Sequence, residues 1–141
     1  MYVNTQSELD AEIAAFPWHD SYVREAHIQC PCYTSPGNRS VVAPDSNWLL
    51  RMIICSQDEE FPGIEFTFEG VERLSLEARV DLKPRGTVAN GVVEVFLTTV
   101  DATPIRAERL RIQRLGAEIW GPNTRYCEAN PFDESGFLLH E

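Results

Sequence analysis

The sequence predicts a mainly β protein: an antiparallel sandwich or partly open barrel of about seven or eight strands, with one short N-terminal helix. Three observations carry this. Ile64, Phe66 and Phe68 alternate with Glu65, Thr67 and Glu69, a period of two that puts one face inward and one toward water. Beyond Gly70 the pattern resumes, with Leu74, Leu76, Ala78, Val80 and Leu82 alternating with Ser75, Glu77, Arg79 and Asp81. Turn-forming clusters of Gly, Pro, Asn and Asp recur between short apolar runs, as antiparallel connections require.

The elements follow in chain order. Ser7-Glu8-Leu9-Asp10 reads as an N-cap with acids in the first turn. Leu9, Ile13 and Phe16 then share one helical face, and Pro17 ends a helix over about 7–16. Tyr22 to Cys32 predicts a strand ending near Pro31, with Val23 on one parity and Tyr22, Ala26, Ile28, Cys30 and Cys32 on the other. Residues 34–45 have a loop composition. The run from Trp48 to Cys55 is almost wholly apolar and predicts a central strand. Asp58 to Gly63 is an acidic turn ahead of the two alternating strands, and Gly70 between them marks a bulge or turn.

Pro84-Arg85-Gly86 predicts a further turn, and Gly91 to Val100 a strand. Asp101 to Pro104 turns the chain into Ile105–Leu115, where the apolar parity switches between Ala107 and Leu110 and so predicts a bulge. A last strand is expected from Ala117 to Trp120, resuming at Tyr126-Cys127, before an irregular tail over about 130–141. The 141 residues fit a single domain spanning the chain, and a 43 % hydrophobic content suffices for a core.

The net charge is −10, and the basic set is eleven Arg and one Lys. That balance argues against nucleic acid or an anionic membrane as partner, because phosphate binding needs clustered cations. It favours solubility and permits a basic protein partner. No apolar run is long enough to span a bilayer as a helix. Residues 1–10 lack the basic start and apolar middle of a secretion signal, which predicts a cytoplasmic protein with reduced thiols at Cys30, Cys32, Cys55 and Cys127.

Trp18-His19-Asp20 is the most distinctive polar cluster. His19 could act as a general base oriented by Asp20, but neighbours on an extended chain point to opposite sides. The sequence therefore favours Trp18 as a core anchor, with His19 and Asp20 bonding backbone groups around a turn. His27, Cys30 and Cys32, with Cys55 or Cys127 as a fourth ligand, are the zinc candidates. A single residue between the cysteines is an unusual zinc spacing, and His27 would face away from them on a straight strand. No metal or other cofactor is expected.

Arg106, Arg109, Arg111 and Arg114 could grip an anion. More simply, they pair across strands with Glu65, Glu69, Glu77 and Glu94. Asp58-Glu59-Glu60 is either a solvated loop tip or the rim of a surface meeting a basic partner. There is no phosphate-binding glycine loop, no G-x-S-x-G and no H-E-x-x-H. Nothing in the chain asks for catalysis.

Two segments carry a family likeness: Phe16-Pro17-Trp18-His19-Asp20-Ser21-Tyr22-Val23 and Ile64-Glu65-Phe66-Thr67-Phe68-Glu69-Gly70-Val71, with Trp120-Gly121 and Tyr126-Cys127 extending it. A helix, a Trp-His-Asp step into a strand and a later F-x-F-x-G-V strand resemble small all-β bacterial proteins of the immunity-protein type. These pieces cover under a third of the chain. The resemblance implies a compact β protein that neutralises a toxin by binding it, and implies no catalytic residue.

The expected function is thus non-enzymatic binding, with Trp18, His19, Asp20, Asp58, Glu59, Glu60, Arg109 and Arg111 as candidate contact residues. The alternative is a small-molecule binder or enzyme, with a pocket at an open end of the sheet lined by Trp18, His19, His27 and the arginine stripe. An exposed edge strand would allow a homo-oligomer.

Overall fold

The computed structural model describes residues 1–31, 33–35, 37, 39–41, 48–76, 81–99, 103–122 and 124–126. The expectations for Cys32, Cys127, residues 42–47, 77–80 and 100–102 and the tail lie outside them. The helix, α1, is Gln6–Ala15. Its N-cap is Thr5 rather than Ser7: the Thr5 hydroxyl accepts from the Glu8 N–H at 3.2 Å. Leu9 is wholly buried, and Phe16, extended ahead of Pro17, closes the helix from inside the core.

The strands are β1 (Tyr22–Gln29), β2 (Tyr33–Ser35), β3 (Arg39–Val41), β4 (Leu49–Cys55), β5 (Gly63–Glu69), β6 (Arg85–Ala89), β7 (Val92–Phe96), β8 (Ile105–Ala107) and β9 (Arg109–Leu115). Seven of them form two antiparallel sheets, ordered β1-β4-β5-β9 and β6-β7-β8, while β2 and β3 pair as a separate ribbon. The chain is mainly β and fits a partly open sandwich, and the described strands close no barrel. No helix among the described residues is long and apolar enough to cross a membrane.

The core lies between the sheets. Leu50, Met52, Ile54, Ile64, Phe66, Phe68, Leu110 and Ile112 project from the larger sheet toward Val93, Val95, Ile105 and Ala107 of the smaller one. The parity switch after Ala107 is where one continuous chain leaves one sheet for the other. Ala107 belongs to β8 and Arg109 to β9, and the Glu108 N–H between them donates to the carbonyls of Glu69 and Gly70 at 3.1 and 3.2 Å. The extra residue lets Ile105, Ala107, Leu110 and Ile112 all face one core.

Several expectations are corrected. Residues 34–45 are not simply a loop, because the β2–β3 ribbon occupies part of them. Residues 74–76 form no strand, and Leu74 and Leu76 are exposed. The turn expected at Pro84–Gly86 runs into β6, which pairs with β7 through Asn90-Gly91, both at positive φ (54° and 74°), the hairpin-turn chemistry of an Asn-Gly pair. Ala117–Ile119 is a 3-10 turn rather than a strand.

In β1 the register slips at Arg24, so Val23 shares a face with Ala26 and Ile28, while Tyr22 turns outward opposite Cys55. The expected wet face of β5 is also wrong at Glu65, which is only 5 % exposed. β5 is flanked by both β4 and β9, and Ile119 and Tyr126 cover the far side with Ile53, Cys55 and Leu115.

Candidate functional site

The chain enters β1 through a tight turn. The Trp18 indole packs edge-on against Phe16 and Phe66, and its Nε1–H donates to the Ile13 carbonyl at 2.6 Å. Trp18 is thus the core anchor the sequence favours. Asp20 is left-handed at φ 56°, which swings its side chain back. His19 Nε2 accordingly lies 3.3 Å from the Asp20 carboxylate, a pairing that reasoning from an extended chain had disfavoured.

The missing partner is Asp81, distant in sequence and also left-handed at φ 61°. Its carboxylate accepts a short hydrogen bond from the Asp20 N–H and lies 3.7 Å from His19 Nδ1. Leu82 N–H donates to the buried Ser21 hydroxyl at 3.2 Å, so the two segments are clamped twice. No sequence signal joined Asp81 to this turn, because only the tertiary fold brings residue 81 to residue 20.

Ligand atoms of His19, Asp20 and Asp81 lie within 4.8 Å of one another, the arrangement among the described residues that could hold a metal ion. His27 and Cys30 do not join such a group there. His27 sits on β1 opposite Arg51, its ring 5.9 Å from Tyr126, and Cys30 follows the end of the strand.

The acidic loop between β4 and β5 is internally braced. The Asp58 carboxylate accepts from the N–H groups of Glu60 and Phe61 at 2.9 and 3.2 Å, while the Ser56 hydroxyl donates to the Phe61 carbonyl at 2.7 Å. Asp58 is therefore a turn-former. Glu59 and Glu60 are exposed. Since Tyr22 pairs with Cys55 and Cys55 with Gly63, this loop and the His19–Asp20 turn leave the same end of the larger sheet. An aromatic chain links them: Phe16 contacts Trp18 at 4.6 Å and Phe61 at 5.0 Å between ring centres. One end of the sandwich thus gathers the carboxylates of Asp20, Asp81, Asp58, Glu59 and Glu60 over a rigid aromatic base.

The arginine stripe does not join this end as a unit. Arg109 opposes Glu69 at the opposite end of the β5–β9 pair, and Arg111 opposes Thr67 mid-strand. Arg106 makes ion pairs with Glu94 at 2.8 Å, as cross-strand pairing predicts, and with Glu72 at 3.0 Å. Arg114 alone reaches the acidic end, its guanidinium 4.5 Å over the Phe61 ring.

Among the described residues, two clefts that bear on a ligand reading lie against the larger sheet. One, of 440 Å³, has apolar walls including Ile28, Trp48, Leu50, Val71 and Leu74. The other, of 420 Å³, lies beside Ile53, Leu115 and Ile119 with Glu25 and Glu118 at its polar side. Next to it the Tyr126 hydroxyl donates a short bond to the buried Glu65 carboxylate, with Arg125 3.6 Å away. Burial, then the bond to Glu65, pushes the Tyr126 phenol above its ordinary value. Burial likewise pushes the Cys55 thiol up, which suits an inert core cysteine. Glu118 is lowered by backbone N–H groups, its own and that of Gly116.

Comparison of the chain with protein-family models, curated proteins and solved structures finds no match.

Proposed function

We propose that this is a non-enzymatic binding protein whose acidic end engages a basic protein partner, and that toxin neutralisation, implied by the family resemblance, is the specific form of that role. The observation that carries the reading is the convergence of Asp20, Asp81, Glu59 and Glu60 at one braced end of the sandwich. A net charge of −10 speeds encounter with a basic surface, and a preformed acidic face loses little entropy on binding. Asp58 supports that face by shaping the loop rather than by contact.

The test is capture from a lysate of the native host, using the wild-type protein and an Asp20→Asn, Glu59→Gln, Glu60→Gln, Asp81→Asn variant as baits. The expected result is one basic protein retained near stoichiometry at low salt, weakened as salt rises and lost with the variant. Equal retention by both baits removes the acidic end from the interface.

The alternative is a small-molecule site, and its expected lining is dispersed: Trp18 is in the core, His27 on the outer face of β1, and Arg106 on the smaller sheet. What favours a ligand reading is instead the apolar cleft beside Trp48, whose size is ordinary for small ligands. A screen of apolar ligands by Trp fluorescence, with no shift for any of them, would eliminate it.

A further inference from the structure

Each sheet edge is a row of backbone donors and acceptors that must be covered or left open to a partner. Three of the four edges of the two large sheets are covered by this chain itself. On β9, Val3 N–H donates to the Leu110 carbonyl and Ile112 N–H to the Met1 carbonyl, both at 2.9 Å. On β8, Glu72 N–H reaches the Arg106 carbonyl at 2.9 Å and Arg106 N–H the Arg73 carbonyl at 2.8 Å. On β6 a side chain substitutes for a strand: Gln6 Nε2 donates to the Gly86 carbonyl at 2.9 Å, and Val88 N–H donates to Gln6 Oε1 at 2.8 Å. The fourth edge, β1, ends its sheet with no strand beyond it among the described residues, and Ala26 to Gln29 are all exposed.

The residues of β1 indicate what that edge accepts. Setting aside the bulged Arg24, its ladder residues are Tyr22, Val23, Glu25, Ala26, His27, Ile28 and Gln29, so Ala26 stands at the middle with three on either side. A two-fold axis beside Ala26 would pair the whole strand antiparallel with a second copy of itself. Because a two-fold normal to the sheet preserves faces, each pair then matches in chemistry. Outward-facing His27 meets the other copy's Glu25, whose carboxylate also accepts from the Arg125 N–H at 2.8 and 3.0 Å within its own chain, and this polar contact occurs twice. On the inward face Ile28, 46 % exposed, meets the other copy's Val23. Shifting the axis by one residue to His27 would set the two imidazoles face to face and leave Val23 without an apolar partner.

We propose that β1 is a homodimer interface, pairing antiparallel about Ala26 to join two larger sheets into one continuous eight-stranded sheet. The bulge at Arg24 brings Val23 onto the face of Ile28, where it packs against the core of its own chain and also makes the strand self-complementary.

Sedimentation velocity over a concentration series tests this, with Ala26→Arg, His27→Glu and a charge-matched control, Ala14→Arg, on the exposed face of α1. All three positions are exposed, and thermal melting verifies that each variant folds. The expected result is reversible association to twice the 16.0 kDa chain mass. Ala26→Arg apposes two guanidinium groups at the axis and should weaken association about tenfold or more. His27→Glu should weaken it by placing two carboxylates together, and Ala14→Arg should leave it unchanged. A monomer at every concentration overturns the proposal, as does a dimer that Ala26→Arg and His27→Glu leave as tight as wild type.

Discussion

The carboxylate of Asp81 accepts a hydrogen bond from the backbone N–H of Asp20, 61 residues earlier in the chain, and both residues hold left-handed backbone conformations. Each such conformation costs about 1 kcal/mol or more for a residue with a side chain, so the contact is what keeps two strained turns together. It also places His19 between two carboxylates at the acidic end.

Asp81→Ala should therefore destabilise the fold by about 1–2 kcal/mol, less than a fully buried charged bond because the side chain is half exposed. Urea unfolding measures this. A change within error would mean that Asp20 keeps its turn without Asp81.

Gln6 closes the β6 edge with one amide group. Gln6→Ala should cost about 1–2 kcal/mol and accelerate exchange of the Val88 amide more than that of other β6 amides. Hydrogen exchange followed by NMR reads this directly. Equal protection in the variant would show that the amide bond contributes nothing to the edge.

Tyr126→Phe removes the hydroxyl bonded to the buried Glu65 carboxylate and should cost about 1–3 kcal/mol. The pH dependence has a definite sign. The phenol is raised above its ordinary value of 10.0 in the folded state, so the folded protein holds its proton more tightly than the unfolded chain does. The stabilisation is complete below pH 10.0 and is lost as pH rises beyond it toward the folded value. Stability should thus fall more steeply above that pH in wild type than in Tyr126→Phe, as measured by denaturant unfolding across the alkaline range.

Two glycines should differ in tolerance. A Cβ at Gly86 would lie 2.8 Å from the Glu94 carbonyl oxygen, a backbone atom that cannot move alone. A Cβ at Gly63 would run into Ile119 Cδ1, the tip of a side chain that can change rotamer. Both alanine variants should be destabilised by about 1–3 kcal/mol, with Gly86→Ala the worse, and Ile119→Val should recover part of the Gly63→Ala loss but none of the other. The order of the melting temperatures decides it.

Much of the fold was legible from local pattern. The alternation of Ile64, Phe66 and Phe68 and the apolar run of Leu49–Cys55 marked two neighbouring strands of the larger sheet. The parity switch between Ala107 and Leu110 marked the corner where the chain changes sheets. The β6–β7 hairpin was only half legible: the apolar run after Gly91 marked β7, but the Asn90-Gly91 turn and β6 went unread, and Pro84-Arg85-Gly86 suggested a turn where β6 begins. The alternation from Leu74 to Leu82 misled at 74–76, where no strand among the described residues engages those residues in a ladder. A period of two shows only that a segment can be a strand, and pairing decides whether it becomes one.

The candidate site divides the same way. Trp18, His19, Asp20 and the Asp58–Glu60 loop stood out by composition, and the structure sets them at one end of one sheet. Asp81 could not be found from sequence, because its role comes from a contact between segments with no shared pattern. The sequence by itself determined the β class, the acidic charge and the positions of most turns, all of which depend on residue type and near neighbours. Only the tertiary structure decided which carboxylates converge, why Glu65 is buried and which sheet edge has no strand beyond it among the described residues. Those outcomes depend on long-range strand order and on which segment covers which face, and residues far apart in the chain settle both.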